Sequence, residues 1–63
     1  MVLHLRKRND SFQFKFNNQG WGNIISLTEV DKVNVLDNIN DENVMVAVYS
    51  TTVEEFTSAL ENL

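Results

Sequence analysis

The side chains of this 63-residue chain that could do chemistry are one histidine, nine carboxylates and several hydroxyl groups. The pairing expected for the first hairpin places His4 opposite Lys15, away from any serine or acid pair. A triad of serine, histidine and acid is therefore not assembled, because the histidine has no nucleophile beside it. We predict that the protein is not an enzyme.

Metal and cofactor sites lack their usual residue patterns. The chain has no cysteine, and its single histidine cannot complete a zinc ligand set. Residues 37–43 are rich in Asp and Asn, but Ile39 at the third position and the missing glycine at the sixth break the calcium-loop spacing. Trp21 between two glycines matches only part of a dinucleotide-binding loop. We expect no metal and no cofactor.

The net charge of −4 weighs against nucleic acid as a partner, because phosphate binding normally needs a Lys/Arg surface. The one basic cluster, residues 6–8, could contact a phosphate or an acidic partner, but we expect it to be a solvated hairpin tip. The acidic residues could instead dock a basic protein through electrostatic steering. The carboxylates expected on that surface are Asp37, Asp41, Glu42, Glu54, Glu55 and Glu61.

Length and hydropathy limit the class of protein. The longest apolar run, residues 44–49, is far shorter than the roughly 20 residues that span a bilayer, so no membrane partner is expected. The absence of cysteine and of an export-like amino-terminal segment predicts a cytoplasmic protein. Residues 1–63 should form one domain, and chains this short often need a partner subunit when no disulfide or metal stabilises them.

Residues 2–7 and 12–16 are predicted to form an antiparallel hairpin. Asn9 and Asp10 tolerate the positive φ that a type I′ turn requires at both central positions. Pairing Arg8 with Ser11 then places apolar pairs on one face and polar pairs on the other. The resulting pairs are Leu5 with Phe14, Leu3 with Phe16, Arg6 with Gln13, and His4 with Lys15.

A helix is predicted over residues 19–30, with Asn17 and Asn18 as caps. Its apolar stripe would contain Trp21, Ile24, Ile25 and Thr28. Gly20 and Gly22 weaken a helix, so we expect them in a first turn pressed against the sheet.

Residues 33–36 alternate and favour a strand, although residues 29–36 could also prolong the first helix. As a strand they would place Val35 opposite Val46 and Val33 opposite Val48 in the strand formed by residues 44–49. The last element is a helix with a capping box at Thr51 or Thr52. Its predicted buried stripe is Val53, Phe56, Leu60 and Leu63.

These elements predict an α+β two-layer sandwich of order ββαββα, with a mainly antiparallel four-stranded sheet and two helices on one face. The alternative order is ββαβα with a longer first helix. At an offset of 32 residues, Phe12, Phe14 and Phe16 align with Val44, Val46 and Val48. This similarity suggests half-repeats 1–31 and 32–63, but generic strand and helix periods would produce it equally well.

Two helices cannot cover both faces of the sheet, so the second face should bind something. Residues expected on the helix-free face are Val2, His4, Leu36, Met45, Ala47 and Tyr49. The alternative is that residues 37–43 or the carboxyl terminus shield Met45 and Tyr49.

Three functions remain open. The first is a non-catalytic protein-binding module, homodimeric through the helix-free face or a sheet edge. The second is an acidic inhibitor or immunity-type protein that docks a basic partner. The third is a small-ligand-binding protein with a cleft at a dimer interface lined by Trp21 and Tyr49.

Overall fold

The computed structural model describes residues 1–63 and has the predicted α+β class, with a different order of elements. In chain order the elements are β1 (Val2–Arg8), β2 (Ser11–Phe16), β3 (Gly22–Asn23), a 3₁₀ helix (Ile24–Ser26), α1 (Glu29–Ile39), β4 (Met45–Tyr49) and α2 (Val53–Glu61). A strand, strand and helix unit does not recur in the second half. The order ββαββα is therefore wrong, and the structure does not confirm the half-repeats. Apart from the short β3, the order follows the alternative ββαβα, and the mainly antiparallel four-stranded sheet with two helices is confirmed.

The first hairpin has the predicted register. Its Cα partners include Leu3 and Phe16, His4 and Lys15, Leu5 and Phe14, Arg6 and Gln13, and Arg8 and Ser11. The turn is not type I′, because Asn9 has a φ of 57° whereas Asp10 does not have a positive φ. At the open end of the hairpin, the Asn17 side-chain oxygen accepts a hydrogen bond of 2.9 Å from the Val2 amide.

The sheet has the strand order β3-β2-β1-β4, so β4 lies at an edge. β4 pairs with β1 in parallel, which makes the sheet mixed, and its Val46 is the partner of Leu3. A parallel neighbour needs a crossover connection, and α1 lies within that connection. The predicted pairing of Val35 with Val46 is wrong, because Val35 belongs to α1.

The helix predicted over residues 19–30 does not form. Asn17 has a φ of 50° and turns the chain, so the following residues return to the edge of β2 as β3. Gly22 pairs with Phe14, and a Cβ atom at Gly22 would lie 3.3 Å from the Phe14 ring. The expected close approach to the sheet therefore applies to Gly22, whereas a Cβ at Gly20 would contact nothing within 4 Å.

α1 begins ten residues later than the predicted helix. The Thr28 hydroxyl oxygen accepts a hydrogen bond of 3.2 Å from the Asp31 amide and caps its first turn. Val35 is 2% exposed, and Leu36 packs against the core. The strand predicted over residues 33–36 is wrong, and so is the placement of Leu36 on the helix-free face.

One face of the sheet packs against both helices. The buried core consists of Leu3, Leu5, Ile24, Val35, Phe56 and Leu60. The remaining apolar side chains of this face pack around it: Phe12, Phe14, Phe16, Val44, Val46 and Val48. Leu63 lies beyond the end of α2 and is exposed, in contrast to its predicted place in the buried stripe.

The cap of α2 distinguishes between the two threonines of the predicted capping box. The Thr52 hydroxyl oxygen accepts a hydrogen bond of 3.1 Å from the Glu55 amide, whereas the Thr51 hydroxyl donates to the Thr52 carbonyl at 3.4 Å. We expect Thr52→Ala to lower the free energy of unfolding by about 1 kcal/mol, measured by urea denaturation. Thr51→Ala is the matched control and should change it much less; equal losses would contradict this cap.

Candidate binding face of the sheet

The helix-free face carries the side chains that alternate with the core-facing residues of β1, β2 and β4. Five of the six residues predicted there belong to this set: Val2, His4, Met45, Ala47 and Tyr49. Met45 is 67% exposed and Tyr49 is 47% exposed. Neither residues 37–43 nor the carboxyl terminus shields these two side chains.

Three aromatic rings cluster on this face. The rings of His4 and Tyr49 are stacked, with centroids 5.8 Å apart and an interplanar angle of 11°. Trp21 lies edge-on to both, with its ring centroid 6.3 Å from each of theirs. The His4 Nδ1 and Tyr49 Oη atoms are 3.0 Å apart and share a hydrogen bond. These contacts join β1, β4 and the segment before β3 into one surface.

Two cations complete the cluster. The guanidinium carbon of Arg6 lies 3.9 Å from the Trp21 ring centroid, and the Lys15 Nζ atom lies 5.2 Å from it. Arg6 Nε also donates a hydrogen bond of 2.7 Å to Gln13 Oε1. Attraction to the negative ring face and this hydrogen bond together fix the guanidinium in place. We call His4, Arg6, Lys15, Trp21 and Tyr49 the cationic aromatic face.

A pocket of about 400 Å³ opens beside this face. Its lining residues are Arg6, Lys7, Arg8, Trp21, Tyr49 and Ser50. Ser50 has a φ of 62°, so the chain turns sharply where β4 ends at the pocket rim. Trp21 and Tyr49 both line this pocket, which is formed by a single chain.

Charge is segregated along the chain. Residues 1–28 contain four Lys and Arg and one Asp, whereas residues 29–63 contain one Lys and eight Asp and Glu, so the formal charges are +3 and −7. The only ion pair joins Lys32 Nζ to Glu29 at 3.8 Å within α1. The predicted acidic surface residues, Asp37, Asp41, Glu42, Glu54, Glu55 and Glu61, are all exposed. Every cation of the hairpin therefore lacks a carboxylate partner.

Sequence reasoning places Trp21 only in the third alternative, a cleft shared with Tyr49, and places neither Arg6 nor Lys15 on the helix-free face. The predicted register already put Lys15 beside His4, and strand alternation put Arg6 on the same face. These two positions could therefore have been found. The contact of Trp21 with these two cations could not, because apolar spacing predicts Trp21 in the buried stripe of a helix that does not form.

Comparisons of this chain with protein-family models, with curated proteins and with solved structures find no match. Neither α-helix is long and apolar enough to cross a membrane. No group of three or more His, Asp and Glu side chains is placed to hold a metal ion. The helix-free face and the sheet edge beside it are therefore the candidate binding surfaces.

Proposed function

We propose that this chain is a non-catalytic binding protein that pairs with a second copy of itself along β4. The observation that carries the proposal is an unprotected edge strand. β4 reads Met-Val-Ala-Val-Tyr, pairs only with β1, and has exposed Met45 and Tyr49 side chains. Its outer edge offers unpaired backbone N–H and C=O groups to another strand.

Edge strands of monomeric proteins usually carry a charge, a proline or a bulge that prevents such pairing. β4 has no charged residue and no proline. The opposite edge, β3, has two residues, so it presents little backbone to a partner. β4 is therefore the edge suited to strand addition.

An antiparallel pair centred on Ala47 would place Met45 of one copy opposite Tyr49 of the other. Contacts between a thioether and an aromatic ring are favourable and tolerate irregular packing. The two-fold axis would be perpendicular to the sheet, so all helices would stay on one side and the two sheets would form one of eight strands.

The small core also supports a partner subunit. Six residues of the chain are buried, and a core of this size supplies little stability alone. Pairing along β4 would extend the core-facing row that contains Val46 and Val48 across the dimer. The second copy thereby adds apolar contacts that a single chain cannot make.

We expect Met45→Lys to raise the dimer dissociation constant up to about tenfold, because it removes the thioether contact with Tyr49 of the other copy and places a charge on the edge strand, which opposes strand addition. Sedimentation velocity across a micromolar concentration series measures this change. Val30→Lys is the matched control, since Val30 is 79% exposed and belongs to α1, on the opposite side of the sheet from Met45.

The control should dimerise like the unaltered chain. A dimer that survives Met45→Lys but dissociates in Val30→Lys would place the interface on α1 and contradict the proposal. A monomeric unaltered chain at tens of micromolar would also overturn it.

A further inference from the structure

We propose that the cationic aromatic face binds single-stranded nucleic acid. The first support is charge. β1, β2 and β4 contain four Lys and Arg and no acidic residue. None of these cations has a carboxylate partner, because the one ion pair of the structure lies in α1. Such a surface is complementary to a polyanion.

Arg6 is positioned as a phosphate ligand. Its Nε atom is held by Gln13 and its guanidinium lies on Trp21, so the side chain is ordered before any ligand arrives. The two terminal nitrogens make no hydrogen bond within the chain and remain free to donate. A planar guanidinium binds the two oxygens of a phosphate with matched geometry.

Aromatic rings favour a nucleic acid over an acidic peptide. Trp21 and Tyr49 line the pocket together with three cations and the Ser50 hydroxyl, which provides a surface for a base beside donors for its phosphate. The pocket of about 400 Å³ is large enough for such a unit. Stacking on aromatic side chains requires unpaired bases, so a single strand fits and a duplex does not.

The cations form a row that is longer than one nucleotide. Lys15 lies beside His4, Arg6 beside Tyr49, and Arg8 follows two residues later on β1. Alternate residues of a strand are roughly 7 Å apart, so the Cα atoms of these three levels extend over roughly 13 Å. The charged groups of Arg6 and Lys15 converge on Trp21, and Arg8 lies further along β1. An extended polymer can contact all three levels at once, which a free nucleotide cannot.

The net charge of −4, summed over the whole chain, favours the opposite expectation, that nucleic acid is not a partner. The negative charge belongs to residues 29–63, whereas the hairpin and the segment after it carry a charge of +3. Local charge governs phosphate contact, and the acidic remainder of the molecule would orient the approaching strand toward the sheet. We therefore expect modest affinity with strong salt dependence.

Fluorescence provides a direct test, because Trp21 is the only tryptophan of the chain. A ten-nucleotide oligothymidine strand should quench Trp21 emission saturably at low salt. The anisotropy of a fluorescein-labelled strand should rise on binding and give the same dissociation constant as the quenching. Three phosphate contacts predict a slope of log K against log salt concentration of about −2.

Lys15→Glu and Arg8→Glu should each weaken binding about tenfold or more, since a phosphate contact becomes a repulsion. Lys32→Glu makes the same change in net charge on α1 and is the control, with less than about a threefold effect. Its stability is measured first, because the Lys32 side chain is only 16% exposed and pairs with Glu29. Arg8 is exposed at the end of β1, so its replacement leaves packing intact. Circular dichroism spectra verify that each variant is folded.

Several results would overturn the proposal. The first is the absence of saturable quenching at low salt. The second is a loss of affinity in Lys32→Glu equal to that in Lys15→Glu and Arg8→Glu. The third is an affinity for a duplex of the same length equal to that for the single strand. Displacement by adenosine monophosphate at equal nucleotide concentration would indicate a free-nucleotide pocket, and equal quenching by a glutamate decapeptide would indicate an acidic protein partner. In Met45→Lys, binding should persist or strengthen, because the variant adds a cation to the helix-free face while it weakens pairing along β4. Loss of dimerisation and loss of nucleic-acid binding are thus separate outcomes.

Discussion

Replacing Phe56 by alanine is expected to leave most of the chain unfolded at 25 °C. Phe56 is fully buried on α2, and its ring packs edge-on against Phe12 with centroids 5.9 Å apart. Truncating a buried phenylalanine costs about 3–5 kcal/mol. A chain of this size has a stability of only about 3–5 kcal/mol, so the loss is comparable to the whole. Urea denaturation followed by circular dichroism measures it.

Phe56→Leu is the matched control for this substitution. It retains most of the apolar volume, so we expect a loss of roughly 1–1.5 kcal/mol and a folded protein. Both variants should be compared at one protein concentration, because dimerisation would make apparent stability depend on concentration. A Phe56→Ala protein whose unfolding free energy stays within about 1 kcal/mol of the unaltered chain would contradict this core.

The first hairpin was predictable because two independent local constraints agree there. The Asn9 and Asp10 turn sets the register, and the alternation of Leu3, Leu5 and the phenylalanines selects the same register. A shift by one residue would have exposed every apolar side chain of β2. The turn type was not predictable to the same degree, because a positive φ at Asn9 alone also closes the hairpin.

Within residues 17–36 the helix predicted over residues 19–30 and the strand over residues 33–36 are wrong, whereas the alternative that residues 29–36 are helical is confirmed. The apolar spacing there fits more than one structure. Trp21 and Ile24 are spaced as on a helix, yet they lie on opposite faces of the sheet. The reversal at Asn17 decides this, and it depends on the contact of Asn17 with Val2. These two residues are fifteen positions apart, so their contact is a tertiary effect that a short window of sequence does not reveal.

The helix-free face was predictable as a surface, but its chemistry was not. Strand alternation located His4, Met45 and Tyr49 there, and their apolar character suggested a subunit contact. Trp21 changes that character, because it brings Arg6 and Lys15 into one cluster. Net charge concealed the cluster, since a sum over the chain carries no information on position.

Proline at position 34 is expected to unfold the chain and so to distinguish α1 from the predicted strand over residues 33–36. Asn34 is exposed in the interior of α1. A proline there removes a backbone hydrogen bond and clashes with the carbonyl of Val30, at a cost of about 3 kcal/mol or more. This loss is comparable to the whole free energy of unfolding expected for so small a core. Circular dichroism and urea denaturation measure it.

Asn34→Ala provides the control, because it tests helix propensity at the same position. Alanine should raise the free energy of unfolding by about 0.5 kcal/mol, since it favours a helix more than asparagine does. The hydrogen bond of 2.8 Å that the Asn38 side chain donates to the Asn34 carbonyl is retained, because it uses the backbone. An edge strand would respond in the opposite way, tolerating proline and gaining nothing from alanine. A stable Asn34→Pro protein would therefore refute the crossover helix, and with it the parallel placement of β4 that leaves its outer edge free.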